Sequence, residues 1–184
     1  SKLTGLIDDT DTSILSNITT IKIRKSFTPT LASSTKYDIY FRNSLFNPHS
    51  GHNSAAGGIL SSTGFKVTGS DFEMFLDDDG NGNVRRYYLS SGIRTYANET
   101  QGTIDYATGQ ITLNSLNVAS ISNIRGATST IIELTVTPDS NDVVPVRDQI
   151  VEIDIANSNI NVNADTFVGG SSDAGVGYTT TSSY

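Results

Sequence analysis

The sequence predicts a mainly β protein: antiparallel sheets with hairpins, β-sandwich-like, with at most one or two short helices. Three observations predict it. Apolar and polar residues alternate over short runs, as in Tyr37–Phe41 and Ile132–Val136, a period of two that puts one face on a core. Those runs are bounded by Asp/Asn/Gly clusters and Thr-Pro pairs, the residues that turn a chain or end a ladder. Hydrophobic residues make up only 36% of the chain, and Ser, Thr, Asn and Gly fill the difference, a composition of strands and turns.

Taken in order, residues 1–17 read as a polar arm in which Asp9, Asp11 and Ser13 cap a short helical turn. Ile18–Phe27 reads as a strand closed by Thr28-Pro29, and Tyr37–Phe41 as a second strand. A turn-rich loop, Asn47–Asn53, and Gly57-Gly58 precede a short strand at Phe65–Thr68. Phe72–Leu76 and Val84–Leu89 flank Asp77–Asn83 as one hairpin; Thr103–Tyr106 and Gln110–Leu113 flank Ala107-Thr108-Gly109 as another. Leu116, Val118, Ile121 and Ile124 have the spacing of an amphipathic helical turn. Ser129–Thr137, Gln149–Ile155 and Ile160–Ala164 read as the closing strands. The expected organisation is a β region at 1–70, a double-hairpin unit at 71–115, a β region completing the fold at 116–168, and a Gly/Ser/Thr-rich tail at 169–184, flexible or docked on a partner.

The bulk numbers narrow the function. A net charge of −7 and a pI near 4.6 argue against nucleic acid as the main partner, because duplex binding needs clustered cations. The basic pairs Lys22/Arg24 and Arg85/Arg86 fall inside strands and read as solvated sheet faces. No apolar run is long enough for a membrane helix, so no membrane partner is expected. Cysteine is absent, so packing carries the stability. There is no initiator Met and no apolar leader, and the chain reads as part of a longer protein.

One stretch suggests a metal. Asp77, Asp79, Asn81 and Asn83 place oxygens at alternating positions, with Gly82 sixth from Asp77, as in the first two thirds of an EF-hand calcium loop. The twelfth position, which should be a bidentate Glu, is Tyr88, and the flanks read as strands. A structural turn is therefore the favoured reading, with Ca²⁺ at 77–83 as the alternative. His49 and His52 form an H-x-x-H pair without an identifiable third ligand. No nucleophile elbow, P-loop, H-E-x-x-H or dinucleotide fingerprint is present, and no enzymatic activity or catalytic residue is expected.

Leu76–Gly82, Arg85–Leu89 and Gly102–Leu113 together resemble the large baseplate wedge subunit of T-even-type contractile-tail bacteriophages, in its cyanophage-like myovirus version. Ile21–Pro29, Tyr37–Asn43, Phe46–His49, Asp139–Arg147 and Gly177–Ser183 are similar to the same family. The resemblance spans nearly the whole chain and corresponds to the C-terminal portion of a longer subunit. It implies a structural virion protein, assembled in the host cytoplasm, whose partners are a second copy (a homodimer) and other baseplate wedge proteins. It implies no cofactor and no catalytic residue. Arg85, Arg86, Tyr87, Tyr88, Tyr96 and Tyr178 are the expected contact residues, as exposed side chains of the hairpin tract and tail. The alternative is a calcium-assisted ligand- or carbohydrate-binding β module resembling an adhesin domain.

Overall fold

The computed structural model describes residues 5, 6, 9, 10, 19–140, 154–159 and 161. The chain divides into two compact units, Ser1–Val146 and Arg147–Tyr184. In the second unit the described residues hold one 3-10 turn, Ile155–Asn157. Ile155 thus lies in a turn rather than at the end of a strand. Asp154 is described and is not in a strand; residues 149–153, the strand at 160–164 (residue 161 apart, which is not in a strand) and the tail with Tyr178 lie outside the described residues.

The first unit is mainly β. Its strands are β1 (Ile23–Phe27), β2 (Thr35–Tyr40), β3 (Ser61–Ser62), β4 (Phe65–Val67), β5 (Met74–Asp78), β6 (Asn83–Ser90), β7 (Ile93–Asp105), β8 (Gln110–Leu116), β9 (Val118–Ile121) and β10 (Ile132–Val136), with a 3-10 turn at Ser54–Ala56. Seven strands form one sheet in the order β2-β8-β7-β6-β5-β4-β9, and three form another in the order β1-β10-β3. All strand pairs are antiparallel. The large sheet draws strands from the expected 1–70, 71–115 and 116–168 regions alike, so the hairpin tract is its centre rather than a separate body.

The sheet curls, and covalent connectivity requires it. Strand β8 lies next to one edge and β9 forms the other, yet only Asn117 separates them in the chain. The two edges must therefore approach each other. Leu31, just before β2, makes a parallel bridge to Val118, and the Ala32 N–H donates to the Val118 carbonyl at 2.7 Å, tying the ends together.

Alternation fills the interior. Ile132, Leu134 and Val136 of β10 are fully buried against Phe65, Leu76, Ile111, Leu113, Leu116 and Val118 of the large sheet. Burying a side chain of this size is worth roughly 1.5–3 kcal/mol, so β10 alone is a major part of the hydrophobic driving force.

Two expectations change here. The tract carries a third hairpin: Ser91 (φ 51°) and Gly92 (φ 81°) join β6 to β7 as a two-residue turn. Positive φ at both central residues matches the strand twist, as a type I′ turn requires. The expected helical turn at 116–124 is instead the end of β8 followed by β9. Bulges explain the misreading. Ser115 sits at φ 48°, and the β4–β9 register slips between Lys66 and Val67, so Val118 and Ile121 pair with Val67 and Phe65. An extra residue turns the strand period of two into a local three, which resembles a helical spacing.

Candidate functional site

Three consecutive aspartates run from the end of β5 into the turn and do three different jobs. Side chains alternate across a strand, so Asp77 and Asp78 face opposite sides of the sheet, and Asp79 begins the turn.

Asp77 is 1% exposed and accepts four hydrogen bonds. Arg85 Nε donates to Oδ1 at 2.9 Å; Arg85 Nη2, Arg94 Nη1 and the Tyr96 hydroxyl donate to Oδ2 at 3.2, 2.9 and 2.9 Å. Register makes this set. Asp77 is paired with Arg85, Tyr87 with Phe75 and Tyr96, and Leu89 with Arg94, so all lie on the outer face of β5–β7. The rings of Phe75, Tyr87 and Tyr96 form a ladder with centroids 5.7 and 5.9 Å apart. Arg85 lies 4.2 Å over Tyr96 and Arg94 4.8 Å over Tyr87, two cation–π contacts that hold the guanidinium planes. Burial pushes the Asp77 carboxyl above the ordinary carboxylate value, opposed by the bonds from Arg85 and Tyr96 and by the charge of Arg94. Burial and the bond to Asp77 also push the Tyr96 phenol up.

Asp78, on the inner face, is equally sealed. It accepts the N–H groups of Ile59 and Leu60 at 2.7 Å each, Gly80 N–H at 3.2 Å and the Tyr106 hydroxyl at 2.6 Å. It therefore clamps the 57–60 loop and the start of β8's hairpin to β5. Glycine at 58 is a steric requirement: a Cβ there would lie 2.2 Å from Asp78 Oδ1. Burial and the Asp78 carboxylate drive the Tyr106 phenol far upward.

Asp79 closes its own turn, accepting the N–H groups of Asn81 and Asn83 at 2.8 and 3.0 Å and Asn83 Nδ2 at 2.7 Å. Desolvation opposes its charge, but these three bonds outweigh it and hold its carboxyl below the ordinary value. Asn81 Oδ1 accepts from Ser50 at 2.5 Å.

The four candidate calcium ligands are thus brought into one hairpin, but Asp77 is engaged with Arg85, Arg94 and Tyr96, and Asp79 with the turn itself. Among the described residues, no group of three His, Cys, Asp or Glu side chains is placed to hold a metal ion. His49 and His52 meet edge to face, with ring nitrogens 3.2 Å apart, and His52 packs on Phe46.

Of the expected contact residues, Tyr178 lies outside the described residues, and none of the other five is fully exposed. Tyr87 is buried, and Arg85, Arg86, Tyr88 and Tyr96 are half-buried in intramolecular contacts. Arg86 donates to Gln101 Oε1 at 2.7 Å, and buried Gln101 passes the chain on to the Asn114 carbonyl at 2.5 Å. Tyr88 stacks on Phe72 with centroids 4.4 Å apart. The side chains that do stand out at this end of the sheet are Phe72, Leu89 and Ile93. Sequence reasoning missed Asp78, Arg94 and Gln101. The Ser91-Gly92 turn was the signal: once placed, it puts Arg94 and Tyr96 on the face of Asp77 and Arg85.

No protein-family model, curated protein or solved structure matches the chain. The outer face of β5–β7 is accordingly read from its own chemistry. Above Asp77 it opens as a cleft of about 440 Å³ between the 54–56 turn and the start of β7.

Proposed function

We propose that this chain is a structural virion protein, a baseplate wedge component that joins wedges into a ring around the tail hub and holds other wedge subunits. It acts there as a homodimer, assembled in the host cytoplasm. The observation that carries the reading is how the ionisable groups of the central meander are spent. Asp77, Asp78, Asp79, Arg85, Arg86 and Tyr106 all bind neighbouring strands or loops of the same chain. Such cross-links stiffen a sheet. The same end of that sheet leaves Phe72, Leu89 and Ile93 exposed, apolar side chains suited to burial against another protein. The resemblance of the hairpin tract to wedge subunits supports the same reading.

Light scattering on the full chain at low and high concentration tests it. A dimer whose fraction grows with concentration is expected, and Phe72→Ser with Ile93→Ser should shift it toward monomer. A compact monomer throughout would overturn the proposal. A melting temperature lowered by a chelator would favour the calcium-assisted binding module instead; the engagement of Asp77 and Asp79 with protein donors weighs against that outcome.

A further inference from the structure

Two guanidinium groups face the cleft above Asp77, and the charge of Asp79 also reaches Arg85 without a direct bond to it. Arg85 and Arg94 both bond to the Asp77 carboxylate. Asp78, the nearest other acid in sequence, faces the opposite side of β5 and is held by backbone N–H groups and Tyr106. Donors are also left over. Arg85 uses Nε and Nη2, and Arg94 uses Nη1 on Asp77 and shares a side-chain hydrogen bond with Tyr96. A guanidinium carries five N–H donors, so Arg85 Nη1 and the remainder of the Arg94 fork are left over. Neither arginine holds a buried unpartnered nitrogen, since the single one among the described residues is Arg86 Nε. The guanidinium planes are held by Tyr96 and Tyr87, so the spare donors are fixed in direction. Ala55, Ala56 and Ile93 supply an apolar wall and rim.

We propose that this cleft binds an aliphatic carboxylate. Guanidinium donors in a fixed plane match a carboxylate's two oxygens. Two guanidinium groups directly bonded to only one carboxylate suit a monoanion, and the chain's net charge of −7 disfavours a polyanion approaching it. The apolar wall suits a short methylene stem. Two sources share this chemistry: a free small carboxylate, and the acidic side chain of a protein segment. The inference does not rest on the assembly role, but Ile93 borders both the cleft and the proposed dimer surface, so binding is measured at a concentration where light scattering shows parent and variants as monomers.

The test is NMR of the full chain, following the arginine Nε–H signals during titration with sodium butyrate, with sodium chloride at matched ionic strength as the reference. A saturable shift at Arg94, absent with chloride, is expected. Arg94→Gln should weaken binding about tenfold or more, the effect of losing a charge-assisted hydrogen bond. Ile93→Asp should weaken it comparably by placing a negative charge on the rim, while leaving Arg94 on Asp77. Because Ile93 is exposed, that variant decides the matter if Arg94→Gln fails to fold. Arg125→Gln, outside the cleft, should bind as the parent does. Tighter binding of a capped Ala-Glu-Ala peptide than of butyrate assigns the site to an acidic side chain, and the reverse order to a free carboxylate. An unsaturable shift, an equal response to chloride, tighter binding of inorganic phosphate, or full binding by Ile93→Asp would overturn the proposal.

Discussion

Asp77, Asp78 and Asp79 are identical in chemistry and adjacent in sequence, and only their surroundings separate their energetics. Removing one partner of a buried ion pair costs about 3–5 kcal/mol because the other charge is left uncompensated. Asp77 meets Arg85, which is 12% exposed, and Arg94, which is 33% exposed, so part of that cost is screened. Asp77→Ala should therefore destabilise by about 2–4 kcal/mol in urea unfolding. Asp77→Asn should cost less, since it keeps an acceptor and removes a charge that burial already disfavours. Equal losses for the two would show that packing, not charge, decides. The acid response follows from carboxyls shifted the other way. Asp105, held low by the Thr108 hydroxyl and by the N–H groups of Ala107 and Thr108, and Asp38, held low by Thr112 and Lys36, join Asp79 below the ordinary 3.8. A depressed carboxyl contributes stability that is present above its unfolded value and lost as pH falls through its folded one. Asp77, shifted up, has the opposite sign and offsets part of this. Melting temperature should fall below pH 3.8, and Asp79→Asn with Asp105→Asn should flatten that fall while lowering stability at neutral pH.

At the scale of elements, the turns set the register and the register sets the site. A Cβ added to Gly92 would meet no atom within 4 Å, so the glycine's φ of 81° is its whole constraint. A β-branched residue there is strained by roughly 1–2 kcal/mol. Gly92→Val should lower stability by that amount and loosen the Arg94 and Tyr96 contacts, seen as faster amide exchange in β6 and β7 near the turn. Unchanged exchange would mean the aromatic ladder, not the turn, fixes the pairing. This hairpin also marks where sequence reading stops. Asp-Gly-Asn-Gly and Thr-Gly turns were legible because their flanks alternate plainly, and so were β2, β4 and β10. Leu89-Ser90-Ser91-Gly92-Ile93 hides its turn, because apolar residues flank it on the surface rather than in the core. The β9 strand was hidden by bulges that imitate a helical spacing. Asp77 stood out in the sequence as a candidate metal ligand, but its observed partners did not, because they lie 8, 17 and 19 positions away and meet it only through pairing.

For the whole molecule, the curled sheet and the three-stranded sheet of the first unit leave apolar side chains exposed at Phe72, Leu89 and Ile93. Two copies of the chain, each at −7, repel one another when they meet. That repulsion is long-ranged and screened by salt, over a Debye length of ~30 Å at 0.01 M ionic strength and ~8 Å at 0.15 M. Apolar burial is short-ranged and not weakened by salt. If the dimer forms through these apolar side chains, raising the salt concentration should strengthen it, because the opposing term fades while the driving one persists. If instead cross-chain ion pairs held it, salt would weaken it. Sedimentation equilibrium across this range of sodium chloride separates the two, and the expected result is a dimer favoured by salt. The same logic predicts that Ile93→Lys, which removes apolar area and adds a positive charge to each copy, weakens the dimer at high salt more than at low salt. There the apolar loss stands alone, whereas at low salt the smaller net charge offsets part of it.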